Sequence, residues 1–257
     1  MMPVTASRPP GASRKSFPDS ARTARTMSTV AERDWYSWHH DYDRPGSVLA
    51  RRLAAVQDQI RAALDTARAG PIRAVSMCAG QGRDLLGVLA GHPRRDDVTA
   101  RLVELDPRNA AVAREAAREA ALGKVEVVTG DAALTDNYAG LVPADLVVAC
   151  GVFGNMTDAD VKRTISFCTQ LCAHGGTVVW TRGRWEPDLL PQVCDWFVEY
   201  GFEQVWVSGP DLRAGAGAHR FAGTPAPLEL GARMFTFIAH DPAHGPPRTA
   251  PDQADSA

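Results

Sequence analysis

The chain has 257 residues, 45% of them hydrophobic, which is enough for one large α/β domain or two small ones. A net charge of −2 gives no electrostatic basis for binding nucleic acid, and no apolar run reaches the roughly 18 residues of a membrane span. The cysteines show no paired spacing, which predicts reduced thiols in a cytoplasmic protein: Cys78, Cys150, Cys168, Cys172 and Cys194. No second Cys or His pair stands at zinc spacing, so no metal site is predicted.

The two ends of the chain lack a periodic apolar pattern. Residues 1–27 are rich in Ser, Arg, Pro and Ala without the apolar stretch of a secretory signal, and residues 241–257 are mostly Pro, Ala and Asp. Because such segments bury too little apolar surface to fold, both are predicted to be disordered tails. Residues 28–70 form an N-terminal addition, in which an aromatic and imidazole cluster precedes an amphipathic helix predicted over residues 47–69.

Five alternations of strand and helix follow, within a domain predicted over residues 71–240. The strands are predicted at residues 73–78, 99–105, 124–129, 145–150 and 177–182, and the helices at 83–90, 107–122, 136–141, 158–173 and 187–200. Strands joined by helical crossovers form a parallel, doubly wound sheet. Residues 203–207 and 233–239 are predicted as two more strands that pair antiparallel, with a Gly-, Ala- and Pro-rich loop between them. The predicted fold is therefore α/β: a Rossmann-like sheet of five parallel strands closed by a C-terminal antiparallel hairpin.

The segment from residue 74 to residue 86 predicts a ligand site. It combines a short buried strand, a turn containing Gly80 and Gly82, and the start of a helix. The glycines let the backbone bend sharply and leave no side chain between it and a ligand. About twenty residues further on, a second strand ends in a carboxylate, Glu104. Strand, glycine turn, helix, strand and acid in this order indicate a ribose-containing cofactor at the edge of a parallel sheet.

Over residues 73–240 this pattern resembles the class I S-adenosylmethionine-dependent methyltransferases. Within that superfamily it is similar to uncharacterised methyltransferases that carry a Cys-Ala-Gly-Gln-Gly-Arg-Asp turn and a Gly-Val-Phe-Gly-Asn turn. The first motif of the family, acid-x-Gly-x-Gly-x-Gly, falls on residues 76–82, with Ser76 in place of the acid and Cys78 in place of the first glycine. In the family that acid holds the amino group of the methionine moiety, so the resemblance leaves Asp84 or backbone carbonyls to replace it.

The resemblance also implies roles for residues at the ends of the other strands. Glu104 matches the acid that takes the ribose hydroxyls, and Asp131 matches the acid beside the adenine amino group. The loop after the fourth strand is where the acceptor lies in the family, and Asn155 is its only polar side chain. The full set of implied cofactor-binding residues is Ser76, Cys78, Ala79, Gly80, Gly82, Asp84, Glu104, Asp131, Ala132, Cys150 and Gly151.

Methyl transfer from a sulfonium is an in-line displacement, for which the protein mainly aligns the acceptor and excludes water. A hydroxyl or amine acceptor also gains from a base that removes its proton. His39 and His40 are candidate bases because N-terminal additions in such folds lie over the carboxyl ends of the strands, and Asn155 completes the candidate catalytic set. A surface or core role for either histidine is the alternative interpretation.

The predicted function is S-adenosylmethionine-dependent methyl transfer to an unidentified acceptor, by default a small molecule. Two alternatives remain open. A nicotinamide-dependent oxidoreductase would carry a third glycine where Leu85 stands. A non-catalytic module that keeps a methyltransferase-like fold is compatible with Ser76 and Cys78, the two departures from the family's first motif.

Overall fold

A computed structural model describes residues 34–238. The two predicted tails, residues 1–27 and 241–257, lie outside the described residues. Across residues 34–238, none of the helices combines the length and the apolar character needed to cross a membrane.

The described chain begins with two helical pieces that precede the sheet. Helix α1 (Trp35–Trp38) runs directly into a 3₁₀ helix (His39–Asp43), and helix α2 (Val48–Thr66) follows. Ser47 caps α2, since its Oγ accepts the N–H of Ala50 at 3.0 Å. The buried side chains of α2 are spaced four residues apart on the face that packs against the sheet and α3: Val56, Ile60 and Leu64.

The sheet has seven strands in the order β3-β2-β1-β4-β5-β7-β6. The parallel strands are β1 (Ile72–Met77), β2 (Val98–Glu104), β3 (Val125–Thr129), β4 (Ala144–Ala149) and β5 (Cys172–Thr181). The helices of this region are α3 (Leu85–Leu89), α4 (Pro107–Glu119), α5 (Asp158–Leu171) and α6 (Leu190–Glu199), with 3₁₀ helices at Arg95–Asp97 and Thr135–Tyr138. The strand order reverses between β1 and β4, which is where open α/β sheets bind ligands outside the carboxyl ends of the strands. The predicted parallel, doubly wound sheet is confirmed.

The closing hairpin exists, but its second strand is not the predicted one. Strand β6 (Phe202–Val207) pairs antiparallel with β7 (Ala216–Phe221), which lies inside the segment predicted to be a loop. Residues 233–238 form no strand, and Arg233 makes one isolated bridge to Leu134. The prediction of a strand at 233–239 is therefore wrong.

The glycine of β7 is required by the side chain opposite it. Gly217 pairs with Trp180 of β5, and a Cβ at Gly217 would lie 2.5 Å from the indole ring. Glycine and alanine have low β propensity, so a strand built from them carries a weak sequence signal. Two apolar clusters, one on each face of the sheet, complete the core.

Candidate functional site

The glycine turn that follows β1 has an unusual backbone. Gly80 and Gly82 have φ angles of +55° and +71°, and Cys78 adopts the same left-handed region with φ of +48°. A left-handed conformation costs a residue with a Cβ about 1 kcal/mol or more. Gly82 also admits no larger residue, because a Cβ there would lie 2.6 Å from the Leu86 side chain. Cys78, at the position where the resemblance predicts a glycine, thus has a glycine-like backbone.

Glu104 joins the end of β2 to this turn. Its Oε2 accepts the N–H of Gly80 and its Oε1 accepts the N–H of Asp106, both at 2.8 Å. Burial raises the pKa of the Glu104 carboxyl, while the two backbone N–H groups favour the ionised form. A carboxylate has about four lone-pair positions, so two remain for hydroxyl donors of a ligand.

Two buried polar atoms near the turn have no hydrogen-bond partner within residues 34–238: Ser76 Oγ and Asn109 Nδ2. The Asn109 carbonyl oxygen accepts from Gln81 Nε2 at 3.3 Å, so its amide group lies beside the turn. Buried polar groups without partners are rare in folded proteins, and a bound ligand is one of the explanations for them.

Asp131, predicted to lie beside the adenine ring, follows β3. Its Oδ1 accepts the N–H of Ala133 at 2.9 Å, and its Oδ2 pairs with Arg233 at 2.8 Å. Ala132 is buried, and its carbonyl oxygen accepts from Tyr138 Oη at 2.7 Å. Sequence reasoning missed Arg233 because it lies about a hundred residues from Asp131 and no motif connects the two.

The loop after β4 lies at the same edge of the sheet as the glycine turn, because β1 and β4 are parallel neighbours. Gly151 has a φ of +76°, and its N–H donates to Thr181 Oγ1 at 2.7 Å. The Asn155 side chain is half-buried, and its Nδ2 donates to the carbonyl oxygen of Gly151 at 2.6 Å. The Trp185 indole lies against the backbone of Gly154 and Gly183, at the same rim.

Residues 34–47, the N-terminal cover, lie over the glycine turn. The His39 imidazole packs against Gly80, where a Cβ would collide with its Nε2. His39 Nδ1 lies 2.6 Å from the Trp35 carbonyl oxygen, which only accepts, so Nδ1 carries the proton and Nε2 the lone pair. Burial lowers the pKa of His39 and keeps the ring neutral. His40 is instead exposed, edge-on to Tyr36, and is not part of this arrangement.

Two ion pairs fasten the cover to the domain. Arg83, in the glycine turn, donates to both carboxylate oxygens of Asp43 at 2.5 and 3.1 Å. Arg108, in the first turn of α4, pairs with Asp34 at 2.8 Å. These pairs connect the cover to the residues that follow β1 and β2.

Arg52 of α2 is a further charged group beneath the cover. Its guanidinium carbon lies 5.4 Å from the centroid of the Trp38 ring and 5.6 Å from that of Tyr42, and it donates to the Tyr42 hydroxyl. Sequence reasoning missed Arg52, although one signal was available: it lies four residues before Val56, in line with the buried face of α2.

Asp84 and the two cysteine thiols complete the polar groups of the site. Asp84 Oδ1 accepts the N–H of Leu85 at 2.7 Å, and burial raises the pKa of its carboxyl. Burial also raises the pKa of the Cys78 and Cys150 thiols, and Glu104 and Asp131 add to the effect at Cys78. Both thiols therefore stay protonated, and neither is an activated nucleophile.

Comparison with known proteins gives a family and a fold. A family model described as "Putative methyltransferase" matches residues 47–207. No curated protein sequence matches the chain.

Solved structures with a similar fold include three methyltransferases. An O-methyltransferase family protein from Burkholderia thailandensis is 18% identical with a TM-score of 0.54, and the alignment covers 68% of this chain and 57% of that one. The CurJ carbon methyltransferase is 17% identical with a TM-score of 0.59, covering 73% and 58%. The 1,6-didemethyltoxoflavin-N1-methyltransferase from B. thailandensis, with its acceptor and S-adenosylhomocysteine bound, is 15% identical with a TM-score of 0.54, covering 73% and 84%. The chain thus spans little more than half the length of the first two, and at these identities the similarity concerns the fold.

Proposed function

The chain belongs to this family of methyltransferases, and we propose that its methyl donor is S-adenosylmethionine and its acceptor a small molecule. The observation that carries the proposal is the link between Glu104 and the glycine turn, made by the hydrogen bond from the Gly80 N–H. A carboxylate with two remaining acceptor positions, hydrogen-bonded at 2.8 Å to a glycine of the turn, suits the ribose of a nucleotide-like ligand.

The residues at the carboxyl ends of the strands fit the donor. The backbone at Gly80 would hold its central part, because no side chain of the turn stands there and the His39 imidazole, which now fills that space, would move aside. Glu104 would accept the ribose hydroxyls, and Asp131 with Ala132 would lie beside the adenine. When bound, S-adenosylmethionine supplies an electrophilic methyl group on a sulfonium. The protein's own task is to orient it and to exclude water.

The acceptor side of the site would be the loop from Cys150 to Asn155 together with Trp185. Asn155 holds this loop through its bond to Gly151, which suits a residue that positions the acceptor. His39 is our candidate for the proton acceptor, because its ring is neutral and its Nε2 lone pair faces the turn. A small acceptor is supported by two proteins of similar fold whose structures hold 1,6-didemethyltoxoflavin and apigenin.

Calorimetric titration of the full chain with S-adenosylmethionine, S-adenosylhomocysteine and NADH tests the donor. We expect both S-adenosyl compounds to bind and NADH to give no heat. Saturable binding of NADH alone, or no binding of any of the three, would overturn the proposal. The alanine variant of Glu126, an exposed residue of β3 remote from the turn, should bind as the wild type does.

A second experiment separates an enzyme from a binding module. The donor, labelled in its methyl carbon, is incubated with the protein and a panel of phenols, amines, thiols and carboxylic acids, and products are detected by mass spectrometry. Transfer to one acceptor class, absent from the Gly80→Val variant, supports catalysis. Donor binding with no transfer to any class favours the non-catalytic module.

A further inference from the structure

Two oppositely charged side chains lie beside the glycine turn and do not pair with each other. Arg52 belongs to the first turns of α2, and Asp84 immediately precedes α3. Helices α2 and α3 pack together, and Gln57 Nε2 donates to the Arg83 carbonyl oxygen at 2.9 Å. Arg52 precedes Gln57 by one and a half helical turns, which places it at the end of α2 nearest the cover.

The Arg52 guanidinium group is surrounded by uncharged side chains rather than by acidic ones. Among the residues from 34 to 238, its one hydrogen-bond partner is the Tyr42 hydroxyl, and no carboxylate lies within 4.0 Å of it. The aromatic faces of Trp38 and Tyr42 flank the guanidinium. A guanidinium has five N–H donors in a planar fork that matches a carboxylate, so this group retains most of its capacity to bind an anion.

Asp84 is the carboxylate of the site with the fewest partners. Both oxygens of Glu104 accept backbone N–H groups, and Asp131 pairs with Arg233. Asp84, by contrast, accepts one N–H from Leu85, and no basic group of the described chain lies within ion-pair distance of it. A half-buried carboxylate of this kind gains from a cationic ligand group.

The Tyr42 ring connects the two positions, because its centroid lies 5.6 Å from the Arg52 guanidinium carbon and 5.7 Å from that of Arg83, the residue before Asp84. Burial raises the pKa of the Cys150 thiol, Asp84 raises it further, and Arg52 opposes the rise. Arg52 likewise opposes the rise that burial causes in the pKa of Asp84. The two charges are thus close enough to influence one another and Cys150, beside the point where the strand order reverses.

We propose that Arg52 and Asp84 bind the amino-acid end of the methyl donor, Arg52 through the ligand's carboxylate and Asp84 through its ammonium group. In the amino-acid end of the donor, the ammonium and carboxylate groups are attached to the same carbon. A guanidinium group and a carboxylate that face one site without pairing with each other match these two groups. Ser76, whose hydroxyl is buried at the end of β1, supplies no negative charge there, so Asp84 takes that role. The assignment rests on the proposed S-adenosyl donor.

Three ligands separate the two contacts in a calorimetric titration of the full chain. S-Adenosylhomocysteine has both charges, its deaminated analogue keeps the carboxylate, and 5′-methylthioadenosine lacks the amino-acid end. Loss of a charge-assisted hydrogen bond lowers affinity by about tenfold or more. Arg52→Gln should therefore weaken the first two ligands and leave methylthioadenosine within about twofold of the wild type. Asp84→Asn should weaken S-adenosylhomocysteine alone.

Matched variants control for effects on folding. Asp84→Asn keeps an oxygen that can accept the Leu85 N–H, so the start of α3 is retained. Arg51→Gln and Asp58→Asn change exposed charges on α2 and should bind all three ligands as the wild type does. Thermal unfolding of each variant establishes that it is folded at the temperature of the titration.

The possible results are distinct. The assignment is overturned if Arg52→Gln and Asp84→Asn bind S-adenosylhomocysteine normally, or if they weaken all three ligands equally. In either case the wild type still binds the donor, and the proposed function stands. If the wild type binds none of the ligands, both proposals are overturned.

Discussion

Glu104 serves the fold as well as the proposed donor site, because its two oxygens hold the N–H groups of Gly80 and Asp106. Glu104→Ala removes both bonds and the acceptor for the ribose. We expect the affinity for S-adenosylhomocysteine to fall by about 1–3 kcal/mol and the free energy of unfolding to fall by a similar amount. Titration calorimetry and urea unfolding measure the two losses.

The control for Glu104 is Glu126→Ala, which removes an exposed carboxylate paired with Arg101 at the sheet edge. It should leave affinity unchanged and alter stability by less than about 1 kcal/mol. Unchanged donor affinity in Glu104→Ala would show that this carboxylate does not hold the ribose.

Among individual residues, those that could be predicted from the sequence lie at or just after the end of a predicted strand. Glu104 and Asp131 each end or follow a strand, and the parallel sheet brings such positions to one edge. Arg52 and Arg233 could not be predicted in the same way. They come from the helix before the sheet and from the segment after it. The spacing from Arg52 to Val56 indicates only the face of α2 on which Arg52 lies, and the approach of either arginine to the site depends on packing that no local pattern encodes.

Strands β5 and β7 are held together by a buried Trp–His pair. Trp180 Nε1 donates to His219 Nδ1 at 3.0 Å, and the His219 ring stacks on Phe197 of α6 with centroids 4.5 Å apart. Burial lowers the pKa of His219 to about 4 from 6.5. Since Nδ1 accepts, Nε2 carries the proton, and it has no partner within the described chain.

This histidine should make stability depend on pH. In the unfolded chain His219 is protonated below about pH 6.5, whereas in the native state it is protonated only below about pH 4. The unfolded state therefore binds more protons between these values, and the free energy of unfolding falls as the pH is lowered across this interval. The loss of stability amounts to about 3 kcal/mol at the low-pH end of this interval. Urea unfolding measured at several pH values between about 7 and 4.5 should show a flatter profile for His219→Gln. His40→Gln, an exposed substitution, should keep the wild-type slope; equal slopes in all three proteins would contradict the assignment.

Strand β7 also shows why one element was mispredicted. The five parallel strands follow or precede helices with recognisable caps, such as Asp106 before Pro107, and their predicted ends agree with the structure to within one residue in all but one case. The exception is the start of β5, which lies at Cys172, inside the segment predicted to end the preceding helix. Strand β7 begins with Ala216, Gly217 and Ala218, which resemble a loop in sequence, and at Gly217 the Trp180 indole leaves no room for a side chain. Residues 233–238 contain the apolar residues typical of a strand but bind to loop backbone, as the Ile238 N–H does to Asn155.

On the scale of the whole molecule, the N-terminal cover and the sheet form one site from two distant parts of the chain. The cover contacts the turn through His39 and is fastened by Arg83–Asp43 and Arg108–Asp34. Both pairs are largely exposed, and exposed ion pairs contribute about 0–1 kcal/mol each. The cover is therefore bound weakly compared with the strands beneath it, and we expect a donor that reaches Gly80 to shift the His39 imidazole from the space beside the glycine while His39 remains at the turn.

Hydrogen exchange of the full chain tests this arrangement. We expect the backbone amides of the cover to exchange faster than those of β1 and β4, and to slow when S-adenosylhomocysteine is added. Replacing Asp34 and Asp43 together by Asn removes both ion pairs and should speed exchange in the cover by about two- to thirtyfold. Asp58→Asn, which breaks the exposed pair with Arg61 on α2, should not change it. If the cover exchanged as slowly as β1, or if the ligand left its exchange unaltered, the cover would be a fixed part of the core rather than the movable wall of a donor site.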